Sequence, residues 1–255
     1  MARKQVEFTN RDGHTLAGAL ELPETPLQAV ALFAHCFTCG KDVVAASRIA
    51  GALADKGIGV LRFDFTGLGG SDGDFANTTF SSNLTDLESA AEFLAEHYQA
   101  PRLMIGHSLG GAAALIAAKR IASIDAVATI AAPATPQHVQ HLFANQACDI
   151  RALGSAPVSI GGREFAIGAD LLEDLEKWPL EVTLNDLNKP LLIFHSPADQ
   201  TVNIGEAARI YNAARHPKSF VSLDNADHLL SNRNDANYVA AVLAAWASRY
   251  LVVEQ

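Results

Sequence analysis

Apolar positions along this chain follow two rhythms that take turns. Residues 5–9 and 15–22 alternate apolar and polar side chains around Asp12-Gly13, as an antiparallel hairpin at one edge of a sheet would. Residues 29–35 and 190–195 are instead short, continuously apolar runs, which suits parallel strands buried on both faces. Residues 58–63, 102–106, 124–131 and 219–223 read as further strands. Between them lie helical stretches at 42–56, an amphipathic segment stopped by Gly57, at 80–98, at the Ala-rich 112–118 and at 236–250. Strands alternating with helices predict an α/β fold, a mostly parallel eight-stranded sheet with helices on both faces.

Residues 133–188 break the rhythm. They contain Pro133-x-x-Pro136, a helical stretch at 137–143, a hairpin at 156–167 around Gly161-Gly162 and a second helix at 169–177. A single helix could connect the flanking strands, and a connection this long inside one domain is usually functional.

Composition narrows the classes of function. With 255 residues, 49% hydrophobic and 18% charged, the chain suits one well-buried domain spanning 1–255. No apolar run is long enough to span a bilayer, and residues 1–8 lead straight into a strand without a hydrophobic signal core. A net charge of −9 argues against nucleic acid, whose phosphates it would repel. Three cysteines are too few for a disulfide framework, so a reducing cytoplasm is expected.

The candidate chemistry starts at Gly106-His107-Ser108-Leu109-Gly110, set between an apolar strand and a helix. That is the context of a nucleophile elbow, in which the flanking glycines leave room for the chain to reverse and the serine hydroxyl is pushed out above a helix N-terminus. Asp199 follows the strand at 190–195, and His228 follows the strand at 219–223. A serine hydroxyl is a poor nucleophile at neutral pH. It needs a neutral imidazole to take its proton and a carboxylate to fix the imidazole's tautomer, so Ser108, His228 and Asp199 are the expected catalytic residues. Asp227 competes for the role of acid, but adjacency to His228 places it poorly to orient that ring.

The order serine, acid, histidine resembles that of the α/β-hydrolase superfamily, and the similarity covers nearly the whole length. Within it, the chain is similar to the serine aminopeptidase-like group, which includes monoacylglycerol lipases and carboxylesterases. The stretch at 35–42 resembles a bacterial branch often fused to an OsmC-type domain, and no such domain lies within these 255 residues. The resemblance implies an oxyanion hole made by the backbone N–H groups of Leu109 and Phe37. The latter lies in His35-Cys36-Phe37, where relatives carry His-Gly-x.

By the same resemblance, residues 133–188 form a small lid over the nucleophile. Phe143, Leu153, Phe165, Leu171, Leu172 and Trp178 then offer an apolar lining suited to an acyl chain or aromatic ester, and the sequence does not say which of them face the site. The expected function is a serine hydrolase acting on small-molecule carboxylic esters through an acyl-enzyme, with no cofactor and no metal. A thioesterase or aminopeptidase would use the same machinery. A non-catalytic ligand receptor is the alternative of a different class, although such homologues typically lose a triad residue or the oxyanion loop.

Other residues are read more plainly. Cys36 and Cys39 are taken as packing thiols rather than a redox pair, because they occupy the oxyanion loop. His138 and His141 are taken as surface or lid contacts rather than metal ligands, and His107 and His195 as core histidines rather than bases. Residues 64–71 are Gly-rich, but their spacing does not fit a dinucleotide loop and no helix starts there; the resemblance implies that this loop, opened by Asp64, braces the fold near the site.

Overall fold

The computed structural model of the chain describes residues 2–179, 184 and 186–251. Strands β1 (Ala2–Thr9) and β2 (Thr15–Leu22) form the expected hairpin. Its turn is held by the Asn10 side chain, which accepts the N–H groups of Asp12 and His14, while Gly13 takes φ +84°. There follow β3 (Ala29–Ala34), α1 (Val44–Ala54), β4 (Ile58–Phe63), α2 (Phe80–His97), β5 (Leu103–His107), α3 (Leu109–Arg120) and β6 (Ala126–Ile130). After the long connection come β9 (Leu191–His195), the helix Gly205–Ala213, β10 (Lys218–Ser222) and the helix Arg233–Ala247. The eight-stranded sheet has the order β1-β2-β4-β3-β5-β6-β9-β10, and only β2 runs against its neighbours.

The apolar runs explain this arrangement. Every residue of β3, β4, β5, β6 and β9 is buried, as the middle of a doubly covered sheet requires. Alternation along β3 then sorts the side chains between two cores. Val30, Leu32 and Ala34 face the core shared with α2 and α3, while Ala29, Ala31 and Phe33 face that of α1 and the helix Arg233–Ala247. Small residues set the distance of α3 from the sheet. A Cβ on Gly111 would come within 2.4 Å of the Ala132 Cβ.

The long connection folds into elements of its own. A 3-10 segment, Pro136–Gln146, is kinked at Phe143 and followed by α4 (Ala147–Leu153). The strands β7 (Ser155–Ile160) and β8 (Arg163–Gly168) pair as a separate two-stranded hairpin, and α5 (Ala169–Leu175) follows. Residues 180–183 and 185 of the segment fall outside the described residues. The sequence pattern did not point to α4 or to Gly205–Ala213. Each is short, and the buried face of the latter consists of Ala207 and Ile210 alone. No helix among the described residues is long and apolar enough to cross a membrane.

Candidate active site

Strand β5 ends at His107, α3 begins at Leu109, and Ser108 makes the turn between them at φ +55° and ψ −128°. A residue with a side chain rarely adopts this conformation, and its surroundings over-determine it. The Ser108 N–H donates to the Ile130 carbonyl at 2.9 Å, and its carbonyl accepts from the Gly111 N–H at 2.8 Å. The glycines are there because backbone passes where a Cβ would stand. On Gly106 a Cβ would lie 2.2 Å from the Gly110 oxygen, and on Gly110 it would lie 2.3 Å from the carbonyl oxygens of Ala34 and His35.

The other two expected residues meet this hydroxyl from neighbouring strand ends. His228 Nε2 lies 3.0 Å from Ser108 Oγ, and His228 Nδ1 lies 2.8 Å from Asp199 Oδ2. Asp199 Oδ1 accepts the N–H groups of Thr201 and Val202 at 2.8 and 2.9 Å. Burial by itself would raise the pKa of this carboxyl, but the bonds from His228, Val202 and Thr201 outweigh it and hold the pKa below the ordinary value. An ionised carboxylate can only accept, so the His228 proton sits on Nδ1 and Nε2 is left to accept from the serine. Asp227 does not share this duty. It is exposed and accepts the Ser231 N–H at 2.8 Å.

His107 and His195 are buried, and they do more than fill the core. His107 Nε2 donates to the backbone carbonyl of His228 at 2.7 Å, and His195 Nε2 donates to the Val202 carbonyl at 2.8 Å. Burial first, with the neighbouring His228 second, lowers the His107 pKa to about 4, so this ring is neutral at physiological pH. Burial likewise lowers that of His195. Each ring therefore ties a loop carrying one candidate residue back to the sheet. The sequence signal was position alone, a histidine at the last residue of each of two buried strands.

The expected oxyanion loop follows β3. Cys39 N–H donates to the Cys36 carbonyl at 3.1 Å, closing a turn with Phe37 and Thr38 at its centre and Thr38 at φ +58°. Leu109 is the first residue of α3, so its N–H has no acceptor within the helix. Here one expectation is corrected. Cys36 and Cys39 are not separate packing thiols. They form a disulfide, because the turn brings their Cα atoms to 5.3 Å, within the normal span of such a bond. Beyond it, Asp64 accepts the Lys41 N–H at 2.6 Å, the Lys41 ammonium at 2.8 Å and the Gly70 N–H at 2.9 Å, which is the bracing expected of it.

A cavity of about 480 Å³ opens above Ser108 and His228. Its far wall comes from the long connection, from Val139 and Leu142 with His138 and His141, and from Ile160 and Arg163 of the β7–β8 hairpin. The apolar lining expected from the sequence is a second correction, for none of those six residues lines this cavity. Phe143 is buried and stacks beside Phe37, Phe165 packs on Phe75, and Trp178 packs on Phe80. Leu171 and Leu172 are core, and Leu153 is 76% exposed. Apolar content marked them as buried or large, but not which way each faces.

The sheet order, the elbow and the strand-end histidine together define an α/β hydrolase. Residues 26–156 match the Hydrolase_4 family, described as serine aminopeptidase, S33, and the chain belongs to that family. The esterase domain of a Rhodothermus marinus protein is 49% identical, with 99% of this chain and 100% of that one covered and a TM-score of 0.81. Est1E from Butyrivibrio proteoclasticus, crystallised with ferulic acid, shares the fold at 18% identity, over 96% of this chain and 99% of its own, with a TM-score of 0.78. Among curated proteins, uncharacterized protein YfhR of Salmonella typhi is 24% identical over 238 residues, 89% of this chain and 74% of its own length.

Proposed function

We propose that this chain is a serine hydrolase that cleaves carboxylic esters through an acyl-enzyme. The observation that carries the reading is the continuous path from Ser108 Oγ to His228 Nε2 at 3.0 Å and from His228 Nδ1 to Asp199 Oδ2 at 2.8 Å. In this reading Ser108 attacks the ester carbonyl as His228 takes the hydroxyl proton. Asp199 stabilises the imidazolium, and the N–H groups of Phe37 and Leu109 receive the developing oxyanion. His228 then returns the proton to the leaving alcohol, and a water activated by the same ring releases the acid. The esterase domain of the Rhodothermus marinus protein, similar over its whole length, favours esters over thioesters or amides. The segment 133–188 serves as a lid on a single domain, because its residues form the wall facing Ser108.

The test is a fluorophosphonate probe with peptide mapping, beside turnover of 4-nitrophenyl esters. One adduct on Ser108 is expected. Ser108→Ala should lose on the order of 10⁶ in kcat, as removal of such a nucleophile does elsewhere, while remaining folded by circular dichroism. Labelling of another serine, or substantial turnover in Ser108→Ala, would refute the assignment.

A further inference from the structure

The cavity over Ser108 is lined by one permanently charged side chain, that of Arg163, and by no carboxylate among the described residues. This is notable in a chain with 28 acidic against 19 basic residues. Arg163 opens β8 at the tip of the β7–β8 hairpin. Two contacts fix where it points. Its guanidinium carbon lies 5.0 Å from the centre of the Phe165 ring, and Nη1 donates to the Thr38 carbonyl at 3.3 Å. Thr38 is the residue after the proposed oxyanion donor, so this contact draws the guanidinium toward the reacting end of the cavity.

A guanidinium has five N–H donors in a planar fork, and one bond to a carbonyl leaves most of that fork unused. Its remaining edge suits a carboxylate, which can take two parallel bonds from it. The half-buried His138 and the exposed His141 line the same cavity, but Nε2 of the first donates to the Thr201 carbonyl at 3.3 Å and Nδ1 of the second to the His138 carbonyl, so the guanidinium of Arg163 is the donor left for an anion. Val139, Leu142 and Ile160 add an apolar surface between, suited to a short carbon chain.

We infer that Arg163 is a specificity-determining residue, and that the esters this site takes carry a carboxylate at a distance from the bond that is cleaved. This rests on the ester-hydrolase reading above and specifies its substrate class. Arg163 would bind the free carboxylate while the apolar wall holds the chain between it and the ester.

The experiment compares kcat/KM for two matched pairs. The first pair is the 4-nitrophenyl monoester of adipic acid and 4-nitrophenyl hexanoate, with the carboxylate on the acyl side. The second is the acetate ester of 4-hydroxybenzoic acid and that of its methyl ester, with the carboxylate on the alcohol side. In at least one pair the carboxylated ester should be preferred by roughly tenfold, mainly through KM, about what one charge-assisted bond at a solvent-open site supplies. Arg163→Gln should collapse that ratio toward one, and Arg163→Lys should keep part of it. A wild-type ratio near one in both pairs would overturn the inference. So would an Arg163→Gln variant that lowers both members of a pair equally, since a merely structural arginine acts on both alike. These outcomes leave ester hydrolysis standing. Failure to hydrolyse any of the four esters, with no probe labelling of Ser108, would remove the parent reading and this one with it.

Discussion

Two walls of one cavity are built by different means. On the Ser108 side, geometry is set by backbone meeting backbone. Gly106 and Gly110 sit where any side chain would collide with carbonyl oxygens, and Ser108 is held at a positive φ by hydrogen bonds to Ile130 and Gly111. On the opposite side, Val139, Leu142, Ile160 and Arg163 are presented by a kinked 3-10 segment and a two-stranded hairpin that pairs with no other strand among the described residues. Backbone packing admits few substitutions, whereas a wall of side chains can be re-lined without disturbing the sheet. On the proposed reading, the chemistry lies on the part that cannot vary and the selectivity on the part that can.

This contrast can be broken most severely at the acid. Asp199→Asn should lower kcat by on the order of 10⁴, because an amide in that place favours the wrong imidazole tautomer. Asp227→Asn, next to the same histidine, should change kcat by less than about tenfold, since its carboxylate serves the Ser231 N–H. Steady-state kinetics on the two variants decide the matter, and reversed effects would move the acid to Asp227.

Next in size is a pair of glycine substitutions. Gly110→Ala places a methyl group 2.3 Å from two carbonyl oxygens and should lower stability by more than about 4 kcal/mol or prevent folding. Gly161→Ala meets no atom within 4 Å, but at φ +58° it should still cost about 1 kcal/mol. Denaturant melts measure both, and comparable losses would mean that the hairpin is as constrained as the elbow.

A further effect, smaller than that of Gly110→Ala, concerns pH. The folded-state pKa of His107 is lowered from 6.5 to about 4, so the unfolded chain binds the extra proton first as pH falls. Its contribution to stability is full above about pH 6.5 and is lost progressively as pH falls toward 4, in total about 3 kcal/mol. His107→Gln should flatten the slope of stability against pH across that window. An unchanged slope would show that His107 does not hold this proton balance.

The same contrast explains what could be read from the chain. The five central strands were legible because burial on both faces leaves continuous apolar runs, the edge hairpin because its side chains alternate, and Ser108 because a strained turn admits so few residue types. Asp199 and His228 could be proposed as partners of Ser108 because each follows a strand end in a fixed order, and the structure brings the three together. The cavity wall was not legible, since Phe143 and Leu142 are adjacent and both apolar, and nothing in their type says that the first turns to the core and the second to the cavity. Arg163 carried no signal at all. An arginine beside a Gly-Gly turn reads as one more exposed charge, and exposed it is, with only the contact to Thr38 marking it as part of the cavity wall.

The link between Cys36 and Cys39 spans a separation of only three positions in the chain. In an unfolded polymer such a ring forms easily, so closing it removes little disorder, about 2 kcal/mol by the loop-closure relation and less than a longer loop would give. Its main effect is therefore local. The bond takes freedom from four residues, and one of them, Phe37, carries the amide proposed to meet the oxyanion. A covalent tie in that place acts on the aim of a single N–H more than on the survival of the fold.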